Sequence, residues 1–454
     1  MSDAQFMRLA LRLARRGRQF VLLVCAALAT HISAQETRFT RQQVIDQMKP
    51  YTGSHVAGVD ASTLAGKVMC GYQGWFAAPG DGSGNNWFHY GATRNLFAPG
   101  HCAFDLWPDM TELGADEKFP TAFKHQDGST AYVFSPCNPR TVLRHFQWMR
   151  DYGIDGVFLQ RFGADLKSAN GFNHNNVVAD NAQAGANQCG RTWAMMYDLS
   201  GLQPGEIQKF VADDWKLLVD RMKITSDPAY LHHGGKPVVA VWGIGFNDGR
   251  KYSLTECEEL IRFLKSDPKY GSNTVMVGVP TWWRTLDHDT VRDEQLHEII
   301  RLADIVSPWT VGRYIDPASA RQHATNQIRP DIQWCKANGK DYLPVIFPGF
   351  SWHNLMHTPH EDAPLNQIPR RKGEFLWAQA VADRRAGASM FYVAMFDEIN
   401  EGTAIFKCTD DPPVGESPFL SMEGLPSDHY LWLAGRIGRM LRNEIPATAT
   451  MPQR

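Results

Sequence analysis

The sequence predicts an α/β fold, a (β/α)8 TIM barrel with a long loop insertion after the first strand, on three observations. Eight short apolar runs recur after residue 66, at 68–76, 156–162, 192–198, 237–242, 275–283, 305–311, 343–350 and 389–396. Helical periodicity separates them. Several runs are apolar at nearly every position, as strands buried on both faces of a parallel sheet must be. Strand and helix alternating over 67–444 suit a barrel. A doubly wound open sheet is the competing arrangement, but no GxGxxG or GxxxxGK[ST] follows the early strands.

Taken in order, residues 1–34 read as a signal peptide. Arg8, Arg12, Arg15, Arg16 and Arg18 form a basic start, 20–29 is apolar throughout, and Ile32-Ser33-Ala34 offers a small-residue cleavage site. The apolar run is too short to span a bilayer comfortably. The expected location is secreted or periplasmic, with no stable membrane insertion after cleavage. Residues 35–66 are an N-terminal extension expected to pack on the barrel. The stretch 77–138 is rich in Gly, Asn and aromatics and reads as an ordered functional loop.

Asn138 before Pro139 is a cap and first-turn pair, with Val142, Phe146 and Met149 on one face of the helix that follows. Ile207, Phe210, Val211 and Leu218 form another apolar stripe. Residues 254–266, 289–302, 328–338 and 373–386 carry the same period. Residues 166–189 are a weaker helical pattern, rich in Asn and Ala. The last helix starts near Ser427 and turns Tyr430, Leu433, Ala434, Ile437 and Leu441 inward. The tail 445–454 is expected to be loose.

Lys plus Arg number 46 and Asp plus Glu 48, a net charge of −2. That balance gives no general pull toward nucleic acid. Among the eight cysteines there is no CxxC pair. An oxidising compartment permits disulfides, and Cys102–Cys137 is the pairing their shared loop suggests, with buried free thiols the equal alternative.

The active site of such a barrel lies where strands end and βα loops begin. The eighth run ends Phe396-Asp397-Glu398-Ile399-Asn400-Glu401-Gly402-Thr403. Like charges packed there repel, and partial burial raises at least one pKa. Glycoside cleavage needs such a pair, one carboxylic acid and one carboxylate. A solvated acidic loop or a Ca²⁺ site would show the same spacing.

Fourteen Trp is a high count, and Trp75, Trp242, Trp283, Trp309 and Trp352 each sit at or just past the end of a different run. In a barrel they converge on one rim, where indole faces stack on sugar rings. Gln73, Gln160, Arg161, Asp198, Arg284 and Arg313 supply polar neighbours. For any one of these Trp residues core packing or a barrel–helix contact is the commoner role, and it is their repetition at corresponding places that points to a binding surface.

His232 and His233 fall in the turn before the fourth run, at the opposite face, which suits a structural role. His353, His357 and His360 follow the seventh run, but no HExxH or matching carboxylate spacing accompanies them, so neither metal nor cofactor is expected. No GxSxG is present.

The segment Asp397-Glu398-Ile399-Asn400-Glu401-Gly402-Thr403-Ala404-Ile405 resembles the Asn-Glu-Trp-His-Glu-Gly-Thr-x-Ile motif of glycoside hydrolase family 99, the endo-α-mannosidases and endo-α-1,2-mannanases. Gly71-Tyr72-Gln73-Gly74-Trp75, Gly80-Asp81-Gly82 and Trp87-Phe88-His89-Tyr90 are similar to that family's opening, and Gly235-Lys236-Pro237-Val238-Val239 also fits. The whole is most similar to bacterial secreted proteins grouped with families 71 and 99, often labelled xylosidase or arabinosidase.

The resemblance implies a retaining α-glycosidase acting on an oligo- or polysaccharide. It implies Glu398 as the base that deprotonates a sugar 2-hydroxyl, giving a 1,2-anhydro sugar, and Glu401 as the acid and later base. Tyr72 and His89 would contact the sugar, with Asp397 beside it. The sequence departs from the motif at Asp397, Ile399 and Asn400, which bears on sugar specificity more than on glycoside chemistry. A carbohydrate-binding barrel without catalysis is the alternative from another class.

Overall fold

The computed structural model describes residues 39–357 and 363–454. The signal segment and His360 lie outside the described residues. Eight parallel strands form the barrel: β1 (Val68–Tyr72), β2 (Gly156–Phe162), β3 (Thr192–Asp198), β4 (Lys236–Trp242), β5 (Thr274–Pro280), β6 (Ile305–Trp309), β7 (Val345–Ile346) and β8 (Phe391–Val393). They pair in chain order from β1 to β6, and β1 also pairs with β8. The seventh strand is divided at Leu343-Pro344. Its first part, Asp341–Tyr342, pairs with β6, and β7 proper pairs with β8, which closes the ring. Pro344 has no N–H to give a ladder, which accounts for the break.

The helices alternate as expected: α1 (Pro139–Tyr152), α2 (Ala169–Cys189), α3 (Asp213–Leu217, flanked by π-helical turns Ile207–Ala212 and Leu218–Met222), α4 (Leu254–Ser266), α5 (Gln295–Leu302), α6 (Arg329–Ala337), α7 (Glu374–Ala386) and α8 (His429–Leu441). The Asn138 carbonyl oxygen of the side chain accepts from Arg140 N and caps α1, a bond worth about 1 kcal/mol. The Asn-rich 169–189 is the longest helix, because its asparagines are used rather than exposed. Asn187 donates to Asp227, and Asn176 accepts from Arg161.

Strand periodicity decides which side chains see the barrel's interior. In β2, Gln160 points inward, donating to the Tyr392 hydroxyl at 3.1 Å. Arg161 points outward and is 1% exposed, held by two bonds of 2.7 and 2.6 Å to the fully buried Asp214 of α3. Tyr197 donates to the same carboxylate.

Residues 39–66 contact the barrel and its helices. Val44 and Leu64 are buried, and Arg41 donates to the Leu166 carbonyl. His233 accepts from Leu64 N and pairs with Asp341 at the barrel's lower face. The tail 445–454 is not loose. Trp377 donates to the Thr448 carbonyl, Ile445 and Met451 pack on the core, and Arg454 pairs with Asp428.

The insertion contains an antiparallel hairpin, Phe119–Lys124 with Thr130–Val133. Its aromatic cluster of Tyr90, Phe97, Phe104, Trp107 and Phe123 packs ring on ring. The suggested Cys102–Cys137 disulfide is absent. Cys102 Sγ donates to the Phe104 carbonyl and Cys137 Sγ lies 3.3 Å from His174. All seven cysteines among the described residues are free.

Removing one partner of a buried ion pair strands the other. Asp214→Ala is therefore expected to lower unfolding free energy by about 3–5 kcal/mol in a denaturant titration.

Candidate active site

At the end of β8 the chain makes a tight turn, and three carboxylates are concentrated there. Asp397 is fully buried. Its Oδ1 accepts from Gln73 N at 2.7 Å and its Oδ2 from Gly74 N at 2.9 Å. Gly74 adopts φ +60, and a Cβ there would meet Val178 at 2.6 Å. Burial raises the Asp397 pKa to about 6 against these hydrogen bonds.

Glu398 is 2% exposed. Its Oε1 accepts from Asn400 N at 2.6 Å and Glu401 N at 3.3 Å, while Oε2 accepts from Gln73 Nε2 at 3.1 Å. Burial first, then the charges of Glu401 and Asp397, push its pKa well above the usual glutamate value. Glu401 is half-buried, and burial raises it to about 7. Near neutral pH this pair holds at least one proton, the state acid–base work requires.

Around the pair, Trp75 stacks on His89 at 3.7 Å and lies 5.0 Å from Phe162. Burial keeps the His89 imidazole neutral, with a pKa of about 3. Phe162, Asp198 and Trp242 are register partners across β2, β3 and β4. Asp198 is buried, which raises its pKa, and it accepts from Ser200 N. Trp242 meets Trp309 edge-on at 5.7 Å. Gly278 makes room for it, since a Cβ there would sit 2.4 Å from the Trp242 ring. Trp352 follows β7 against Phe350. The Nε1 atoms of Trp75, Trp242 and Trp352 and the Oε1 of Gln73 are buried with no partner among the described residues. Such atoms suit a ligand rich in hydroxyl groups. A narrow recess beside Trp75 is lined by Gln73, Gln160, Phe162, Asp165 and Asn175 among others, and neither glutamate lines it. Burial raises the Asp165 pKa to about 6.

Two expected contacts are corrected. Tyr72 points out of the barrel, fully buried against Phe396 and Phe146, with its hydroxyl on His145 Nδ1 at 2.9 Å. The two-residue period turns Gln73, not Tyr72, toward Glu398. Trp283 is also fully buried, packed on Trp334 at 4.9 Å behind the rim. Its neighbour Trp282 is the partly exposed one, beside His288 and Arg313. His353 hydrogen-bonds the Ala363 carbonyl through Nδ1 and stacks with His357. Among the described residues, no group of three His, Cys, Asp or Glu could hold a metal ion, and no helix is long and apolar enough to cross a membrane.

Sequence reasoning missed Asp105 and the tethering role of Asn400. Asn400 Nδ2 donates to the carbonyls of His89 and Ala103, joining the turn to the insertion. Asp105 is an acid inside the apolar stretch Cys102-Ala103-Phe104-Asp105-Leu106-Trp107, a pattern that signals a buried, fully bonded carboxylate.

No protein-family profile and no curated protein matches this sequence. Solved structures do. A GH99 endo-alpha-mannosidase from Bacteroides thetaiotaomicron superposes with a TM-score of 0.59 at 16% identity, covering 84% of this chain and 99% of that one. The same enzyme in complex with bis-tris-propane gives a TM-score of 0.58 over the same shares, also at 16% identity. A glycoside hydrolase-like protein gives 0.50 at 14% identity, covering 88% and 99%. This chain thus has a GH99-like TIM-barrel fold.

A buried carboxyl whose folded pKa is raised weakens the fold as pH climbs through the range from its unfolded to its folded value. For Glu401 that range runs from the ordinary glutamate value of 4.5 to about 7. Glu401→Gln should therefore melt at a higher temperature than the parent at pH 8, by an amount worth about 3 kcal/mol, and no higher at pH 4. Thermal unfolding followed by circular dichroism at both pH values checks this.

Proposed function

We propose that this protein is a secreted or periplasmic glycoside hydrolase that cleaves an α-linked oligo- or polysaccharide with Glu398 and Glu401. The observation that carries the reading is the glutamate pair at the end of β8, Glu398 buried and Glu401 half-buried, on a GH99-like barrel whose strand ends also carry Trp75, Trp242, Trp309 and Trp352. The leader at 1–34 supports export. The α-linkage is inferred from the motif and from the fold neighbour's name.

The chemistry follows from what each carboxyl can do. Glu398, fixed through both oxygens, removes the proton of the sugar 2-hydroxyl, whose oxygen attacks C1 from within the ring. Glu401 gives its proton to the departing glycosidic oxygen. The product is a 1,2-anhydro sugar, with Glu398 protonated and Glu401 ionised. Glu401 then takes a proton from water as that water opens the ring at C1, and Glu398 returns its proton to O2. Two inversions at C1 give net retention. Asp397 holds the β1 end against the turn, and Trp75 with His89 offers the stacking surface.

The rate should rise and fall with pH. It falls above about pH 7 as Glu401 loses the proton it must donate, and in acid as the pair takes a second proton. The test is a screen of the purified protein against α-linked glycans, with product anomer followed by NMR. On any glycan cleaved, Glu398→Gln and Glu401→Gln should each lower kcat/KM by about 10²–10⁴-fold. Near-parental rates in both would refute the assignment. Glycan binding with no product from the whole panel would make this a carbohydrate-binding barrel instead.

A further inference from the structure

The turn that carries both glutamates is fastened to a residue outside the barrel strands. Asp105 of the insertion is fully buried. Its Oδ2 accepts from Ser351 Oγ at 2.5 Å and His353 N at 2.7 Å, and its Oδ1 accepts from Asn354 N at 2.8 Å. All three donors belong to the loop after β7. Asp105 also reaches the turn directly, its own N–H donating to the Ile399 carbonyl at 3.2 Å. The other end of the turn is held through Ser351, whose N–H donates to the Glu401 carbonyl at 2.8 Å. Gly402 lets the two loops touch, because a Cβ there would sit 3.0 Å from the Ser351 backbone.

Ile399 and Glu401 thus flank the turn, and both are reached from one residue, Ile399 by the Asp105 main-chain N–H and Glu401 by its carboxylate through Ser351. A carboxylate suits this place because only an ionised acid offers acceptors for three donors at once. A charge buried among neutral N–H and O–H groups costs free energy and persists only where those bonds are complete. A misplacement of about 1 Å in a reacting group can lower a rate by about 10²-fold.

We propose that Asp105 is a positioning residue that sets the Glu398–Glu401 geometry, making the insertion part of the catalytic apparatus; this rests on the glycosidase reading above. It touches no reacting atom. It acts by holding the turn closed, so that the glutamates stay close together and away from water.

The test uses the full chain with carboxyl-¹³C-labelled glutamate. Glu398→Gln and Glu401→Gln assign the two signals, whose titration midpoints are then read by NMR. In Asp105→Asn, checked for folding by circular dichroism, both midpoints should move toward the ordinary glutamate value by about 1 pH unit or more as the turn opens to water. On a cleaved glycan, kcat should drop about 10²-fold with KM within about threefold. Ser351→Ala, which removes one bond of the chain, should move the midpoints the same way by less. It serves as the deciding variant if Asp105→Asn does not fold. Midpoints equal to the parent's in a folded variant, or a loss of stability alone, would overturn the proposal. A parent that cleaves no glycan sinks the hydrolase reading, while the titration still decides whether Asp105 sets the turn.

Discussion

Three carboxylates crowd the mouth of a barrel whose walls are almost dry, and what meets them is N–H groups rather than cations. Gln73 N and Gly74 N meet Asp397, and Asn400 N, Glu401 N and the Gln73 amide meet Glu398. A neighbouring Arg or Lys would pull the pair into two ionised carboxylates, with pKa values below the ordinary range. Neutral donors instead fix the geometry without forcing both carboxyls to ionise. Burial then dominates, and the site keeps a carboxylic acid close to neutral pH. The positions of the strand ends follow from the need to deliver those donors.

The insertion gives none of those donors and instead fastens the turn from outside. It crosses above β1 and β8 and is fixed from within by its own aromatic cluster, so it can hold something else rigidly. It gives the turn the carbonyls of His89 and Ala103 as acceptors for Asn400, and Asp105 as a bonding centre. His89 itself adopts φ 62, unusual for a residue with a side chain. The Asn400 bond to its carbonyl, the stack on Trp75 and the contact with Phe88 hold it there. The Trp75–His89 stack and the glutamate turn are thus joined through one side-chain amide.

The barrel was legible because strands buried on both faces leave an unambiguous record, and all eight runs became strands. The seventh was legible as a run but not as a divided strand. Only the pairing of Asp341–Tyr342 with β6 shows what Pro344 does. Helix α2 was under-read because asparagine weakens helices on its own, and only tertiary partners such as Asp227 and Arg161 reveal why it is there. The carboxylate turn was legible from charge density after an apolar run. Which neighbours face it was not. Tyr72 and Gln73 are adjacent, as are Trp282 and Trp283, and one step along the chain exchanges inside for outside. Residue type favoured Tyr72 and Trp283, while the register chose Gln73 and Trp282. Asp105 lies about 290 positions from the turn it serves, a separation no local pattern spans.

The flanks of the glutamates gain a physical reading from the same bonds. Where the resembled motif has Asn, this chain has Asp397, which receives one N–H on each oxygen. An amide has a single acceptor oxygen and would turn its NH₂ toward one of those donors. A carboxylate is the better clamp between β8 and the loop after β1. Ile399 stands where the motif has Trp. It is fully buried, and its carbonyl takes the Asp105 N–H. Asn400 stands where the motif has His, and its NH₂ group gives two N–H bonds to two carbonyls at once, more than a neutral imidazole can. All three departures therefore fall on residues whose side chains or carbonyls hold the turn in place, while the two glutamates they surround are kept. The chain thus keeps the two glutamates of the resembled motif and changes the residues that fasten them, replacing side chains whose bonds differ in number and direction while leaving both carboxyls on one turn.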